Sequence, residues 1–478
     1  MKADLSRDTF EPAKHFLRVI QQQGRVEVDA DPNEQAAILI RYLQTLAADL
    51  IGPYGGPARG GGFKLAWIDE TLYVDPGRYY VDGLLCELEP GAEIRDKDVL
   101  EALETQGMSA FAVPYYAQPD RRIDEKNDPL PEVDGLVYLD VWERHVTAVE
   151  EASIREVALG GPDTSTRSQV VCQVKVATPP EEMELGGCED VRENWASWVE
   201  VLQPGERGRL AARDNRSHAT TDPCITPPMA GYRGDENQLY RVEIRTSGRA
   251  DEIRERSRGR LADRVTADRE DIPETEVTGE VATFVWSREN GSVLSSWDVS
   301  SNRIVLGDPS RDTKLGFAAG DWIELTDDSH ELNGEPGTLV KITRVEENVL
   351  TIDESTAAGL PTDPVMFPEN PKIRRWDSDG ALDVVIPATN DGWVHLENGV
   401  EIRFSAEHGE YRAGDFWLIP ARILGGVEWA TVAGEPVLQR SRGVTHRFAP
   451  LGILRQQRGR AAAVENCLCI FDPLPCRE

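Results

Sequence analysis

From Asp31 to Ile51 the apolar residues Ala36, Leu39, Ile40, Leu43, Leu46, Ala47 and Leu50 recur at steps of three and four, the period of one helix face. Asp31-Pro32 opens this helix, a carboxylate able to cap free N–H groups followed by a proline tolerated at the first helical position, and Gly52-Pro53 ends it. Before the helix, the pattern predicts an extended arm, a turn at Gly24-Arg25 and the alternating segment Val26-Glu27-Val28-Asp29. After it the period shortens to two. Short strands are predicted around Leu65-Trp67, Leu72-Val74 and Tyr79-Leu85, with turns at Asp75-Pro76-Gly77 and Asp82-Gly83, after a glycine-rich stretch, Gly55 to Gly62, expected as a flexible connection.

Further strands follow at Leu136-Trp142, Gln169-Val176 and Gln238-Ile244. The stretch from Asp251 to Glu274 is dominated by Arg, Asp and Glu without an apolar face, which predicts a charged linker. Beyond it, Val281-Trp286, Arg303-Leu306, Trp322-Leu325, Leu339-Val345 and Val349-Ile352 are separated by Gly, Asp and Asn, the pattern of a small SH3-like or OB-like barrel. Ala381-Ile386, Trp393-Leu396, Val400-Phe404, Phe416-Ile419 and Val427-Val432 continue in the same style. The expected fold class is mainly β and multi-domain: an N-terminal helix with a small β domain, then several β-sandwich or small-barrel modules. The expected divisions are 1–110, 111–250, the linker 251–274, the barrel 275–370 and a C-terminal β domain 371–478.

Composition narrows the function. With 84 acidic against 52 basic residues among 478, the formal charge of -32 repels phosphate backbones and anionic headgroups, so neither nucleic acid nor membrane insertion is expected. Residues 1–30 hold no apolar signal core, and the expected site of synthesis is the cytoplasm, without a signal peptide. Seven cysteines at irregular spacing do not form a disulfide scaffold, although Cys188 and Cys224 bracket a polar excursion that a bridge could close. Two buried free thiols are the alternative there.

Motifs of common enzymes are missing, with no GxxxxGK[ST], HExxH or GxSxG, so no catalytic residue is assigned. Glycoside hydrolysis, needing only two carboxylates, leaves no sequence mark and stays as an alternative. Asp29, Asp31 and Asn33 have the opening spacing of a calcium loop, but Glu34 replaces its glycine and Ile40 its final Glu, so helix capping is the better account. Cys467, Cys469 and Cys476 offer three thiolates without a fourth ligand, leaving packing or a local disulfide ahead of zinc. No cofactor or metal is expected. Most of the tryptophans sit inside apolar strand patterns, as core residues do, although some could form a sugar platform.

Several segments carry a family likeness: Ser6-Arg-Asp-Thr-Phe10, Asp29-Ala-Asp-Pro-Asn-Glu-Gln35, Tyr138-Leu-Asp-Val-Trp-Glu-Arg-His145, Ala158-Leu-Gly-Gly-Pro-Asp-Thr164, Phe284-Val-Trp-Ser-Arg-Glu-Asn-Gly291 and Gly414-Asp-Phe-Trp-Leu-Ile-Pro-Ala-Arg422. The chain resembles a bacterial and archaeal family, of unassigned role, that accompanies contractile injection systems, relatives of phage tails and R-type pyocins. Its N-terminus is also similar to attachment segments of phage baseplate and tail-fibre proteins. This likeness implies a structural, non-enzymatic part of such a particle, with residues 1–110 docking, other baseplate, spike or fibre proteins as partners, self-association, and release of the assembled particle from the cell. Arg7, Asp8, Phe10, Arg25, Asp31, Asn33 and Glu34 are the interface candidates it singles out. Tyr232 and Arg233 join them because aromatic and Arg side chains anchor interfaces, a turn with local hydrogen bonds being the alternative. A receptor module binding cell-surface glycans, or a delivered effector, are the competing expectations.

Overall fold

The computed structural model describes residues 2–121, 125–126, 128–203, 205, 207–215, 231–253, 281–298, 304–307, 316–387, 390–405, 410–457 and 460–472. The chain is mainly β and multi-domain, and the domains are nested rather than strung in a row.

The first body carries two four-stranded sheets. In one, Gly77–Val81 and Leu84–Leu88 form a hairpin beside Tyr54–Pro57, which pairs in parallel with Ile470–Phe471. The hairpin turns at Asp82 and Gly83, both at positive φ, as the Asp-Gly pair predicts. In the other, the order is Arg460–Asn466, Arg447–Gln457, Gly135–Val146, Arg167–Ala177. Tyr79, Cys86, Val137, Leu139, Val174 and Leu451 from both sheets share one core. A small helix, Lys97–Thr105, was not anticipated from the sequence; Asp96 caps it by accepting the N–H groups of Asp98 and Val99, and it buries Val99 and Leu103.

The second body is a sandwich. One sheet orders Leu382–Asp383, Thr283–Ser287, Gln238–Thr246, Phe416–Arg422 and Gly426–Val427; the facing one orders Val394–His395, Val400–Phe404, Arg209–Asp214 and Gln439–Arg440. Tyr240, Val242, Phe284, Ile402, Phe404 and Trp417 fill the space between them. The third body is a closed six-stranded barrel of Leu294–Asp298, Ile304–Leu306, Trp322–Thr326, Thr338–Glu346, Val349–Ala358 and Lys372–Trp376.

The barrel is inserted between two strands of the sandwich, and the sandwich between two parts of the first body. The strands therefore cross the consecutive divisions expected at 110, 250, 274 and 370. Thr283–Ser287, expected in the barrel, pairs instead with Gln238–Thr246, and Lys372–Trp376 closes the barrel in its place. Asp251–Ile253 pairs in parallel with Val385–Pro387, while 254–274 of the expected linker lie outside the described residues.

Two further expectations change. The glycine-rich stretch is partly a strand and closely packed: a Cβ on Gly62 would come within 2.6 Å of the Gly77 backbone. Cys188 is bridged to Cys467, 279 positions away, tying the helix Cys188–Glu193 to the returning C-terminal segment. Cys467 is thereby removed from any zinc set or bond to Cys469, and Cys224 and Cys476 lie outside the described residues.

Candidate assembly surface

The N-terminal arm is a strap with both ends fixed. At its start, Lys2 Nζ pairs with Glu243 Oε1 at 2.9 Å, lies 5.4 Å from the Trp376 ring centre, and the Ala3 carbonyl accepts a 2.8 Å bond from Asn290. Farther along, Arg422 donates to the Ser6 carbonyl at 2.7 Å and Arg442 pairs with Asp8 at 2.6 Å. The strap then meets the N-terminal end of the long helix, Ala30–Ile51, through the side chain of Asp29 just before it and two side chains of its first turns. Asp29 accepts the Ser6 N–H at 2.9 Å, Glu34 accepts the Thr9 hydroxyl at 2.6 Å, and Gln35 accepts the Val19 N–H at 2.9 Å.

This corrects the capping expectation. The helix begins at Ala30, so Asp31 lies inside its first turn instead of capping it, and Asp29 at the N-cap position has helical φ/ψ and makes no side-chain cap, its carboxylate being committed to the strap. Partial burial alone would raise the Asp29 pKa, but the Ser6 hydrogen bonds outweigh it and hold the pKa below the usual range.

The helix itself is barely covered. Only Ala30 and Ile38 are buried along it; Gly52, at φ 102, ends it by donating to the Ala48 carbonyl. Leu39, Ile40, Tyr42, Leu43, Leu46 and Leu50 are all exposed, Leu43 to 62% and Leu50 to 66%. A helix apolar on this scale is ordinarily found inside a protein. Close contact with the first body is made at its C-terminal half: a Cβ on Gly83 would stand 2.0 Å from the Gln44 carbonyl, and one on Gly55 would stand 3.1 Å from Ile51. Between helix and hairpin runs an apolar groove of ≈ 650 Å³, walled by Leu43, Ala47, Leu50, Leu84, Leu85 and Phe471. Phe16, Leu17, Ile20 and Val26 of the arm are exposed as well.

The residues singled out by sequence divide accordingly. Asp8 and Glu34 hold the strap in place, Phe10 is half-buried with its N–H on Asp8, and Asp31 donates its N–H to the Val28 carbonyl. Arg7, Arg25 and Asn33 are exposed, Arg25 in the turn with Gln22. Tyr232 is buried in the sandwich, donating to the Glu236 carbonyl at 2.9 Å with its ring edge-on to Tyr240, so it packs locally and leaves only Arg233 at the surface. What the helix presents outward is its apolar side chains, whose spacing was visible in the sequence but gave no sign of facing solvent.

Charge is concentrated elsewhere, where the three bodies meet. A cavity of ≈ 200 Å³ there is lined by acids and bases together, among them Lys2, Arg245, Glu243, Glu324, Glu331 and Arg374. Burial would raise the Glu243 carboxyl pKa, but Arg241 and Lys2 bring it down to about 2; Lys372 and Arg374 do the same for Glu331, also to about 2. Glu150, Asp328 and Glu331 bring carboxylate oxygens within 4.8 Å of one another, a grouping that could hold a cation. The Lys372 ammonium already fills it, at 2.7, 3.0 and 2.7 Å from the three. It is a salt-bridge lock between barrel and first body.

No curated protein and no solved structure matches the chain. A family match covers residues 1–182 and 177–478, and the chain accordingly belongs to a family of unknown function, DUF6519.

Proposed function

We propose that the protein is a structural component of a phage-tail-like contractile injection particle, associated with its baseplate or tail fibres and attached through the strap and helix within residues 1–110. One observation carries this reading: a 22-residue helix whose apolar side chains stand exposed beside an apolar groove. Exposing such a surface is unfavourable in water, and contiguous patches of this kind mark protein contacts. Nesting supports a mechanical role, since each inserted body enters and leaves through paired strands and the contacts between bodies combine buried ion pairs with small apolar clusters.

The competing readings have less support. All eleven tryptophans are buried or half-buried, so none is presented fully exposed for stacking on a sugar. In the polar cavity Glu243 and Glu331 are held ionised, so that cavity does not offer the protonated carboxyl a glycosidase uses; the carboxyls that burial raises, Glu289 and Glu397, lie outside it. Particles purified from producing cells are expected to contain the chain at a fixed ratio to their tube subunit. Its absence from intact particles contradicts the proposal.

A further inference from the structure

We infer that the exposed face of the helix Ala30–Ile51 is covered by the same helix of a second copy of this chain. The inference rests on the reading of this helix as an assembly face and names its partner. Ala36, Leu39, Leu43, Leu46 and Leu50 follow steps of three, four, three and four, the seam of a coiled coil, and each is exposed. Such a seam is self-complementary, because a leucine knob on one helix fits a hole among the same residue types on its neighbour.

Charge points to the same partner. A chain of net charge -32 repels its own copies, so they can meet only where charge is sparse. Within this helix the charged residues are Asp31, Glu34, Arg41 and Asp49, and the 3.6-residue period places all four off the seam. The four seam leucines expose on the order of 400 Å², about half of the roughly 800 Å² per partner of a standard interface. Ile40 and Tyr42 on the helix, with Leu85 and Phe471 across the groove, extend the same apolar surface. A neighbouring helix laid on the seam therefore enters the groove beside it.

Light scattering of the purified full chain at micromolar concentration tests this. The expected mass is at least twice the 53.1 kDa of one chain. Leu39→Glu with Leu46→Glu is expected to return it to the single-chain mass with an unchanged circular dichroism spectrum, while Thr45→Glu, on the opposite side of the helix, leaves the oligomer intact. Should the glutamates disturb the helix, Leu43→Ala, which keeps helix propensity, weakens association at least about tenfold. A wild-type chain of 53.1 kDa throughout, or an oligomer indifferent to these changes, overturns the inference. A single-chain mass in a protein that purified particles nonetheless contain overturns self-association alone; an oligomer that never enters particles overturns the particle reading alone.

Discussion

The Lys372 ammonium, fully buried on the strand that closes the barrel, lies 2.7 Å from the Glu150 carboxylate just beyond the longest strand of the first body. Two bodies separated by more than two hundred residues of sequence are thereby fastened at one point. Around it, Arg144 reaches Asp328 at 2.5 Å, and Gln173 donates to the Leu332 carbonyl at 2.8 Å.

Removing the lysine takes the ammonium from Glu150 and leaves Asp328 and Glu331 with Arg144 and Arg374 as their remaining counter-charges. Lys372→Met is expected to cost about 3–5 kcal/mol, the usual penalty for breaking a buried pair from one side. Denaturant unfolding checks it; a loss below about 1 kcal/mol contradicts the lock.

Lys372→Ala opens a space bordered by Glu150, Asp328 and Glu331, whose oxygens are spaced for a cation. Millimolar calcium is expected to raise the melting temperature of this variant and leave the wild type unchanged, since binding to the folded state alone stabilises it. Equal responses of the two proteins argue against the ammonium standing in a cation's place.

The bridge from Cys188 to Cys467 closes a loop of 279 positions. Cys188→Ser, or a reducing agent, is expected to lower stability by about 2–4 kcal/mol. Thiol titration of the denatured chain under oxidising and reducing conditions checks that the bond is present.

Acid acts in two stages. Burial, with Arg374 nearby, holds the His145 pKa at about 4 against an ordinary 6.5. The unfolded chain therefore takes the proton first, and the stability His145 contributes is full above 6.5 and lost as pH falls toward 4. Glu243 and Glu331, at about 2 against an ordinary 4.5, contribute stability that is lost as pH falls below 4.5. His330 acts in the opposite sense: Asp327 raises its pKa, so its contribution is full at low pH and fades as pH rises through the folded value. Urea midpoints from pH 7 to 3 are expected to fall, and His145→Phe to flatten the stretch between 6.5 and 4. An unchanged slope in that variant contradicts the assignment.

Local pattern was enough for the fold class. Leu136-Trp142 is a nearly continuous apolar run, Gln238-Ile244 alternates, and both are strands; the Asp82-Gly83 turn joins a hairpin, and Gly52 ends the helix where expected. Pairing was not legible, because the choice between a barrel and a sandwich for Thr283–Ser287 depends on partners at Gln238–Thr246 and Leu382–Asp383. Lys372–Trp376 was hidden for another reason. Lys-Ile-Arg-Arg-Trp looks like a surface segment, yet all five residues are buried because each charge meets an acid: Arg374 meets Glu331 and Arg375 meets Glu289. The candidate site shows the reverse case. Its apolar spacing was plain, but whether Leu43 and Leu50 face a core or solvent depends on what the rest of the chain places beside the helix.

The most direct test of the assembly role is quantitative mass spectrometry of particles purified from cells making either the wild-type chain or the Leu39→Glu, Leu46→Glu variant. A fixed copy number per particle is expected for the wild type and its loss for the variant, with folded variant protein accumulating free. Equal incorporation of both chains, or absence of the wild-type chain from intact particles, contradicts it.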